Sequence, residues 1–321
     1  MKATPLATRA QRALGAAVLG AALLSGCGGS TSQVDQFQPE RVLSFGDETS
    51  FLSDSGNKYT VNALNDDKSL NCAGSPIWIQ YMVQTAYAKY FSQCTGTATS
   101  PDTTAYRLST NGARVADVVA AIQSRLSSGD IVDSDLVTIM VGMHDVLDEY
   151  ALYDGSNEAD LIAELTSRGE QLAAAVNEAT GSGARVLVST TIDVGLTPFA
   201  LTEKANVGDD RPALLTRLTD AFNKAMRLGL TNDGSKIGLL LGDDLSRAMV
   251  RVPSSYALSD ATTPACATST WRTSGCTTDT LIDAAKDKSS TYLWADDLHP
   301  GATYQLYLGQ QAVSRLSNLP F

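Results

Sequence analysis

Short apolar runs recur along the chain, and most of them are followed by polar or turn-forming residues. Four of these runs are rich in Val, Ile and Leu and have the length and composition of buried β-strands. The predicted strands cover residues 41–47, 135–145, 184–193 and 236–244.

Longer stretches between the runs carry large apolar residues three or four positions apart, which is the spacing of an amphipathic helix. The predicted helices cover residues 76–91, 113–126, 156–180, 211–230 and 301–316. Strands that alternate with helices predict a parallel sheet covered on both faces. The expected fold class is therefore α/β, as a three-layer α/β/α sandwich.

Polar residues that can take part in chemistry follow three of the predicted strands. They are Asp47 and Glu48, His144 and Asp145, and Asp243 and Asp244. Ligands of open parallel sheets bind outside the carboxyl ends of the strands. A functional site is therefore expected to draw on these positions.

The N-terminus has the pattern of an export signal. Lys2, Arg9 and Arg12 form a positive region, and the stretch ALGAAVLGAALLSG that follows is too short for a stable spanning helix. The stretch ends in LLSGC, which resembles the bacterial lipobox, in which the cysteine becomes the lipidated first residue; that residue is Cys27. The alternative is an ordinary secretory signal with a chance cysteine.

The lipobox divides the chain into three expected regions. Residues 1–26 are a lipoprotein signal peptide, residues 27–40 a flexible tether, and residues 41–321 one folded domain. Gly28 after the cysteine resembles an outer-membrane lipoprotein of Gram-negative bacteria. The protein is thus expected to be exported and held by its lipid at the outer membrane, facing the periplasm or the cell surface.

Charge and cysteine content narrow the function classes. Cleavage of the signal would remove three positive charges and change the formal net charge from −11 to −14, which argues against nucleic-acid binding. The four cysteines other than Cys27 allow three disulfide connectivities in an oxidising compartment. We favour Cys72–Cys94 and Cys266–Cys276, because each pair would close a polar, loop-like segment. No CxxC spacing supports a metal–thiolate site.

The chain contains two histidines, His144 and His299. His299 lies in the segment WADDLHPGA, three residues after Asp296. Histidine is the usual general base near neutral pH. An Asp-x-x-His spacing lets the carboxylate orient the imidazole and stabilise its charged form.

The order of motifs resembles that of the SGNH, or GDSL, family of ester hydrolases and lipases. FGDETSFLSD, STNGARVAD, VTIMVGMHDVL and LWADDLHPGATYQ resemble four of the family's blocks in sequence order, and STTIDVGLTPFA and LTDAFNKAM resemble segments of its lipase-like members. The resemblance spans the chain after the signal. It implies a flavodoxin-like SGNH-hydrolase fold, cleavage of small-molecule, lipid or carbohydrate esters, and no cofactor.

The resemblance also implies roles for single residues. Gly112 would donate its backbone N–H to an oxyanion, and Asp296 and His299 would be the acid and the base. Two positions depart from the family pattern. Glu48 occupies the position of the nucleophile serine, and His144 occupies the position of the oxyanion-hole asparagine.

Glu48 leaves two catalytic interpretations that need no metal. In the first, the nucleophile has shifted to Thr49, Ser50 or Ser53, although such hydroxyls more commonly form turn or cap bonds. In the second, Glu48 acts as a general base on water or forms a mixed anhydride with the acyl group, and His144 donates an N–H to the oxyanion.

Two further interpretations remain open. Glu48, His144 and His299 match a two-histidine, one-carboxylate ligand set used for zinc or iron, with Asp296 orienting His299. Alternatively, the protein is a non-catalytic binding lipoprotein in which a Glu48–His299 ion pair stabilises the pocket. The family resemblance favours an ester hydrolase with an altered site, and the non-catalytic lipoprotein is its main alternative.

Overall fold

Parallel strands form one central sheet in the computed structural model, which describes residues 36–266 and 275–318. The order across the sheet is β2-β3-β1-β4-β5-β6. These strands are β1 (Arg41–Gly46), β2 (Lys89–Phe91), β3 (Asp102–Arg107), β4 (Asp135–Met140), β5 (Arg185–Ser189) and β6 (Ile237–Leu240). A separate parallel pair is formed by β7 (Asp260–Pro264) and β8 (Tyr292–Trp294).

Helices pack against the central sheet in two groups. They are α1 (Trp78–Tyr87), α2 (Val115–Ser127), α3 (Met143–Ala151), α4 (Glu158–Gly181), α5 (Pro198–Asn206), α6 (Arg211–Gly229), α7 (Gly242–Arg251) and α8 (Ala302–Ser317). Helix α1 packs against α8, whereas α4 packs against α2 and α6. From β1 the chain first moves toward β2 and later in the opposite direction, so right-handed crossovers place the two groups on opposite faces. The predicted three-layer α/β/α sandwich is confirmed.

The core lies between the sheet and these helices. Every residue of β4 is buried, which fits a central strand covered on both faces. In the register, Val42 of β1 lies between Ala105 of β3 and Leu136 of β4. Complete burial of one such aliphatic side chain contributes about 1.5–3 kcal/mol relative to exposure. Contacts group the chain from residue 36 onward into one compact unit.

The expected helix over residues 76–91 is wrong in its last part. The helix ends at Tyr87, because Ala88 adopts a left-handed conformation with a φ of 51°, and residues 89–91 form the edge strand β2. The ammonium of Lys89 bonds to Asp102 of β3 at 2.7 Å, which fixes this strand to its neighbour. Strand β3 was not predicted either, because most of its residues are polar and half of them are exposed.

Three of the predicted strands are too long at their carboxyl ends. The strand predicted over residues 184–193 stops at Ser189. Strand β4 stops at Met140, and His144 lies in the first turn of helix α3. Strand β6 stops at Leu240, and Asp243 and Asp244 lie in the first turn of α7. Acidic side chains are favoured in the first turn of a helix by its macrodipole, so these aspartates carried a helix signal as well as a site signal.

Both expected disulfides, Cys72–Cys94 and Cys266–Cys276, are present. Cys27, the expected signal peptide and residues 27–35 of the expected tether lie outside the described residues. Among the residues that are described, no helix is both long and apolar enough to cross a membrane.

Candidate functional site

The five residues expected at the site lie together at the carboxyl edge of the sheet. Glu48 follows β1, Gly112 follows β3, and His144 follows β4. Asp296 and His299 come from the loop between β8 and α8. The connections that follow the neighbouring strands β1 and β4 run in opposite directions along the sheet, so the site lies at the topological switch point, where ligands of such sheets bind.

Gly46 allows the tight turn that presents Glu48. Its φ is 142°, and a Cβ at this position would lie 2.2 Å from the carbonyl oxygen of Met140. The next residue, Asp47, caps the short turn Glu48–Ser50 by accepting the backbone N–H of Thr49 at 3.0 Å and its hydroxyl at 2.5 Å. The Gly-Asp pair therefore holds the backbone of Glu48 against the end of β4.

Gly142 likewise allows the tight turn that presents His144. Its φ is 128°, and a Cβ there would lie 2.2 Å from a ring carbon of Phe222. Helix α3 can therefore begin directly beneath the ring of Phe222, with His144 in its first turn. The histidine side chain is buried and points at Glu48.

Both carboxylate oxygens of Glu48 are bonded. Oε1 lies 2.5 Å from Nε2 of His144 and 3.2 Å from Nε2 of His299. Oε2 accepts the backbone N–H of Gly112 at 2.9 Å. The Glu48 side chain has no exposed surface. The three groups that the family resemblance assigns to acid–base and oxyanion chemistry thus all contact this one carboxylate.

Asp296 fixes the ring of His299. Its carboxylate lies 2.8 Å and 3.0 Å from Nδ1 of His299, and it also accepts the backbone N–H groups of Leu298 and His299 at 2.9 Å and 2.7 Å. This arrangement makes Nδ1 a donor to Asp296 and leaves Nε2 to face Glu48. His299 is completely buried.

The site holds opposite charges at neutral pH. Burial alone would lower the pKa of His299, but Asp296 and Glu48 outweigh it and raise that pKa to about 10. Burial also opposes charge on His144, yet the bond to Glu48 gives it a net raised pKa. For Glu48, burial raises the pKa and the bonds from His144 and His299 lower it, so the net shift is downward. His299 is therefore a cation near pH 7 that donates from Nε2 to Glu48, and the bond to Glu48 also favours the protonated form of His144.

The pKa of Asp47 is raised, whereas that of Glu48 is lowered. The burial of Asp47 and the charge of Glu48 raise its pKa to about 7. One of its oxygens, Oδ2, is buried and lacks a hydrogen-bond partner among the described residues. Asp47 bonds only through Oδ1 to Thr49, as expected for a turn cap rather than a reacting group.

The nearby hydroxyls are engaged elsewhere. Thr49 donates its hydroxyl to Asp47, and the hydroxyl of Ser50 accepts the indole N–H of Trp78 at 3.1 Å. Ser53 accepts the backbone N–H of Asn57 at 2.9 Å. These are the turn and cap bonds that hydroxyls next to a tight turn commonly form.

The metal interpretation finds no support in the geometry. Glu48 bonds directly to both histidines, so the three side chains contact one another rather than a common point between them. Within residues 36–266 and 275–318, no group of three or more His, Cys, Asp or Glu side chains is arranged to hold a metal ion.

A segment that sequence reasoning missed covers the site. In this covering segment, residues 58–62, the ring of Tyr59 packs on His299 with 5.0 Å between ring centroids. The buried ammonium of Lys58 donates to the carbonyls of Cys72, Gly74 and Ser75 at 2.8–2.9 Å. No apolar periodicity marks these residues, so only their position after the first motif could have indicated them.

The other end of the covering segment is also fixed. The hydroxyl of Thr60 donates to the carbonyl of Pro300, next to His299, at 3.0 Å. The backbone N–H of Asn62 donates to the carbonyl of Cys276 at 2.9 Å. Each end of the segment is therefore held by a loop that carries a disulfide.

The remaining polar positions singled out from sequence are structural. Asp145 accepts the backbone N–H of Val115 at the start of α2 at 3.0 Å. Asp243 accepts the hydroxyl of Thr190 at 2.6 Å, which joins α7 to the end of β5. Neither carboxylate is bonded to Glu48.

Solved structures with a related fold come from several sources. One is a lipolytic G-D-S-L family protein from Veillonella parvula, with 9% identity, 85% of this chain and 96% of that chain covered, and a TM-score of 0.44. A catalytic mutant of the acetylxylan esterase Axe2 from Geobacillus stearothermophilus has 15% identity, 88% and 97% coverage and a TM-score of 0.46. The lipase Lip_vut3 from a goat rumen metagenome has 10% identity, 86% and 96% coverage and a TM-score of 0.48.

The sequence of the chain matches one family model. No curated protein matches the chain. The family model described as GDSL-like Lipase/Acylhydrolase matches residues 26–311, which is most of the sequence. The chain therefore belongs to the GDSL-like lipase/acylhydrolase family.

Proposed function

We propose that this family member is a non-catalytic lipoprotein that keeps the hydrolase fold as a binding or scaffolding domain and does not cleave esters. One observation carries the proposal. The N–H groups of Gly112, His144 and His299 all bond to the carboxylate of Glu48. The groups that would stabilise an oxyanion or move a proton are thus already occupied by the chain itself.

The charge state of His299 supports the proposal. A general base must have a free nitrogen lone pair near its operating pH. Asp296 and Glu48 raise the pKa of His299 to about 10, so its Nε2 carries a proton near pH 7. A protonated imidazole cannot accept a proton from water or from a hydroxyl.

Glu48 itself is poorly suited to catalysis. Its pKa is lowered by the bonds from the two histidines, which makes it a weak base. A carboxylate that accepts three N–H bonds must break some of them before it can attack an acyl carbon.

The experiment is hydrolysis of p-nitrophenyl acetate and butyrate by the purified domain, with wild type beside Glu48→Ser. The wild type is expected to match the buffer blank, and Glu48→Ser is expected to turn over ester because His299, Asp296 and Gly112 are retained. Wild-type turnover that His299→Ala abolishes would show that the protein is an enzyme and would refute the proposal.

We propose in addition that Cys27 carries the lipid that holds the protein at the outer membrane. The support is the sequence LLSGC after a short apolar stretch, followed by the tether residues GGSTSQ. Metabolic labelling with an alkyne-bearing palmitate in a Gram-negative host should modify the wild type and fail with Cys27→Ser. Equal labelling of both proteins would exclude this anchor.

A further inference from the structure

We propose that the carboxylate of Glu48 acts as a built-in ligand that fills a short-chain carboxylate site. The site takes a free carboxylate once the Glu48 side chain is removed. This inference rests on the proposed function, in which Glu48 occupies the site instead of reacting in it. It assigns the site a ligand class, namely formate and the short aliphatic carboxylates.

The donors around Glu48 form a site that does not depend on Glu48. Gly112 lies 64 residues from Glu48 along the chain, His144 lies 96 residues away, and His299 lies 251 residues away. Gly112 and His299 are held by contacts of their own, and His144 lies in the first turn of helix α3. The carbonyl of Gly112 accepts the guanidinium of Arg114 at 2.9 Å, and His299 is held by Asp296. We therefore expect the three N–H groups to keep their positions when the side chain of Glu48 is absent.

The number and direction of these donors suit a carboxylate. Two N–H groups meet one oxygen and one N–H group meets the other, so both oxygens are engaged. Charged donors make the stronger bonds to an ionised acceptor. Without Glu48, the buried imidazolium of His299 would keep only Asp296 as a carboxylate partner, and Nε2 of His144 would lose the carboxylate that it contacts, which favours uptake of an anion.

The size of the space vacated in each variant is set by the side-chain atoms that the substitution at Glu48 removes. Glu48→Ala removes one methylene carbon, the carboxyl carbon and both oxygens, which together are the heavy atoms of acetate. Glu48→Gly removes one more carbon and leaves the space of propionate. Glu48→Ser retains a hydroxyl in place of the methylene and leaves the space of formate. Since Glu48 and His299 are completely buried and Tyr59 packs on His299, acids longer than the vacated space are expected to bind more weakly.

The test is thermal unfolding and isothermal titration of the full domain in chloride buffer with sodium formate, acetate, propionate and butyrate. The variants are Glu48→Ser, Glu48→Ala and Glu48→Gly, with wild type as the matched control. Acetate at about 50 mM is expected to raise the Tm of Glu48→Ala by at least about 3 °C and to leave wild type unchanged. The preferred ligand should lengthen by one carbon from the serine to the alanine variant and again to the glycine variant.

Two results would overturn the inference. One is an equal response of wild type and variants, which would show a general salt effect. The other is a response that does not change with acid length or that survives His144→Ala in the Glu48→Ala background. If the variants do not fold in chloride, their refolding yield with each acid is measured, and equal yields with all four acids refute the inference.

The two proposals fail independently. Ester turnover by wild type refutes the proposed function. Lack of carboxylate binding by the vacated variants refutes the built-in ligand, even when wild type is inactive toward esters.

Discussion

Nε2 of His144 lies 2.5 Å from Oε1 of Glu48, and both side chains are almost completely withdrawn from solvent. His299 bonds to the same oxygen at 3.2 Å, so one carboxylate is shared by two imidazole rings. Removal of one partner from a buried ion pair leaves an uncompensated charge and costs about 3–5 kcal/mol. This relationship makes Glu48 a stability determinant as well as the residue that occupies the site.

Glu48→Leu is therefore expected to lower the free energy of unfolding by about 3–5 kcal/mol, because leucine has a similar size but cannot accept the N–H bonds. Urea unfolding at pH 7 measures the loss. Glu170→Leu, which changes an exposed glutamate on α4, is the matched control and should leave stability unchanged. A cost of less than about 1 kcal/mol for Glu48→Leu would mean that both histidines are neutral and the pair is not ionic.

The stability of the domain is expected to fall as the pH rises from 6.5 to 8. The pKa of His299 is raised to about 10 in the folded state, so its stabilisation is complete below the usual histidine pKa and is lost as the pH rises through 10. His144, whose pKa is also raised, acts in the same direction. The expected slope from His299 alone is about −1.4 kcal/mol per pH unit, measured as the free energy of unfolding in urea.

The chosen pH window leaves out most of the titration of Lys58, but it includes that of Asp47, whose pKa is raised to about 7 and which lowers stability in the same direction as the histidines. Burial lowers the pKa of Lys58 to about 8, so this lysine destabilises the folded state below pH 8 and the penalty is relieved between pH 8 and its usual value. The titration of Lys58 therefore opposes the loss of stability from the histidines only above pH 8. Glu48→Gln is the control, because loss of the charge should lower the pKa of both histidines and flatten the slope. An unchanged slope in this variant would mean that Glu48 does not hold the protons on the rings.

Much of the site could be predicted from sequence because the motifs mark backbone turns. The Gly-Asp pair after β1 and the glycine two residues before His144 fix where Glu48 and His144 lie, and the Asp-x-x-His spacing fixes the bond from Asp296 to His299. The helix and strand pattern likewise predicted the central strands, whose burial on both faces gives continuous apolar runs.

The features that could not be predicted from the sequence depend on tertiary contacts. The edge strand β2 has only three residues, and its neighbour β3 is mostly polar and half exposed, so neither carries an apolar run to detect. The covering segment with Tyr59 and Lys58 is held by carbonyls of distant loops, which leave no periodic signal in the sequence. The distance from Glu48 to His144 was also beyond sequence reasoning, because it is set by the side-chain conformations of residues far apart in the chain.

Lys58→Met is expected to lower the free energy of unfolding by about 2–3 kcal/mol, because three partly buried carbonyls lose their donor while the apolar stem is retained. Urea unfolding measures this loss. The covering segment should also loosen, so modification of His299 by diethyl pyrocarbonate, followed by mass spectrometry, should become faster. Lys68→Met is the control, since Lys68 is exposed. Unchanged reactivity of His299 would show that Lys58 does not hold Tyr59 in place.

The Cys72–Cys94 disulfide is expected to stabilise the fold and the covering segment together. It closes a loop of 22 residues, for which chain entropy predicts a loss of about 3 kcal/mol on replacement of both cysteines by serine. The carbonyl of Cys72 also accepts the ammonium of Lys58, so the two contributions are coupled. A double-mutant cycle with Lys58→Met should therefore give a combined loss smaller than the sum of the separate losses by at least about 0.5 kcal/mol. Additive losses would show that the disulfide acts on the unfolded chain alone and not through the loop that holds Lys58.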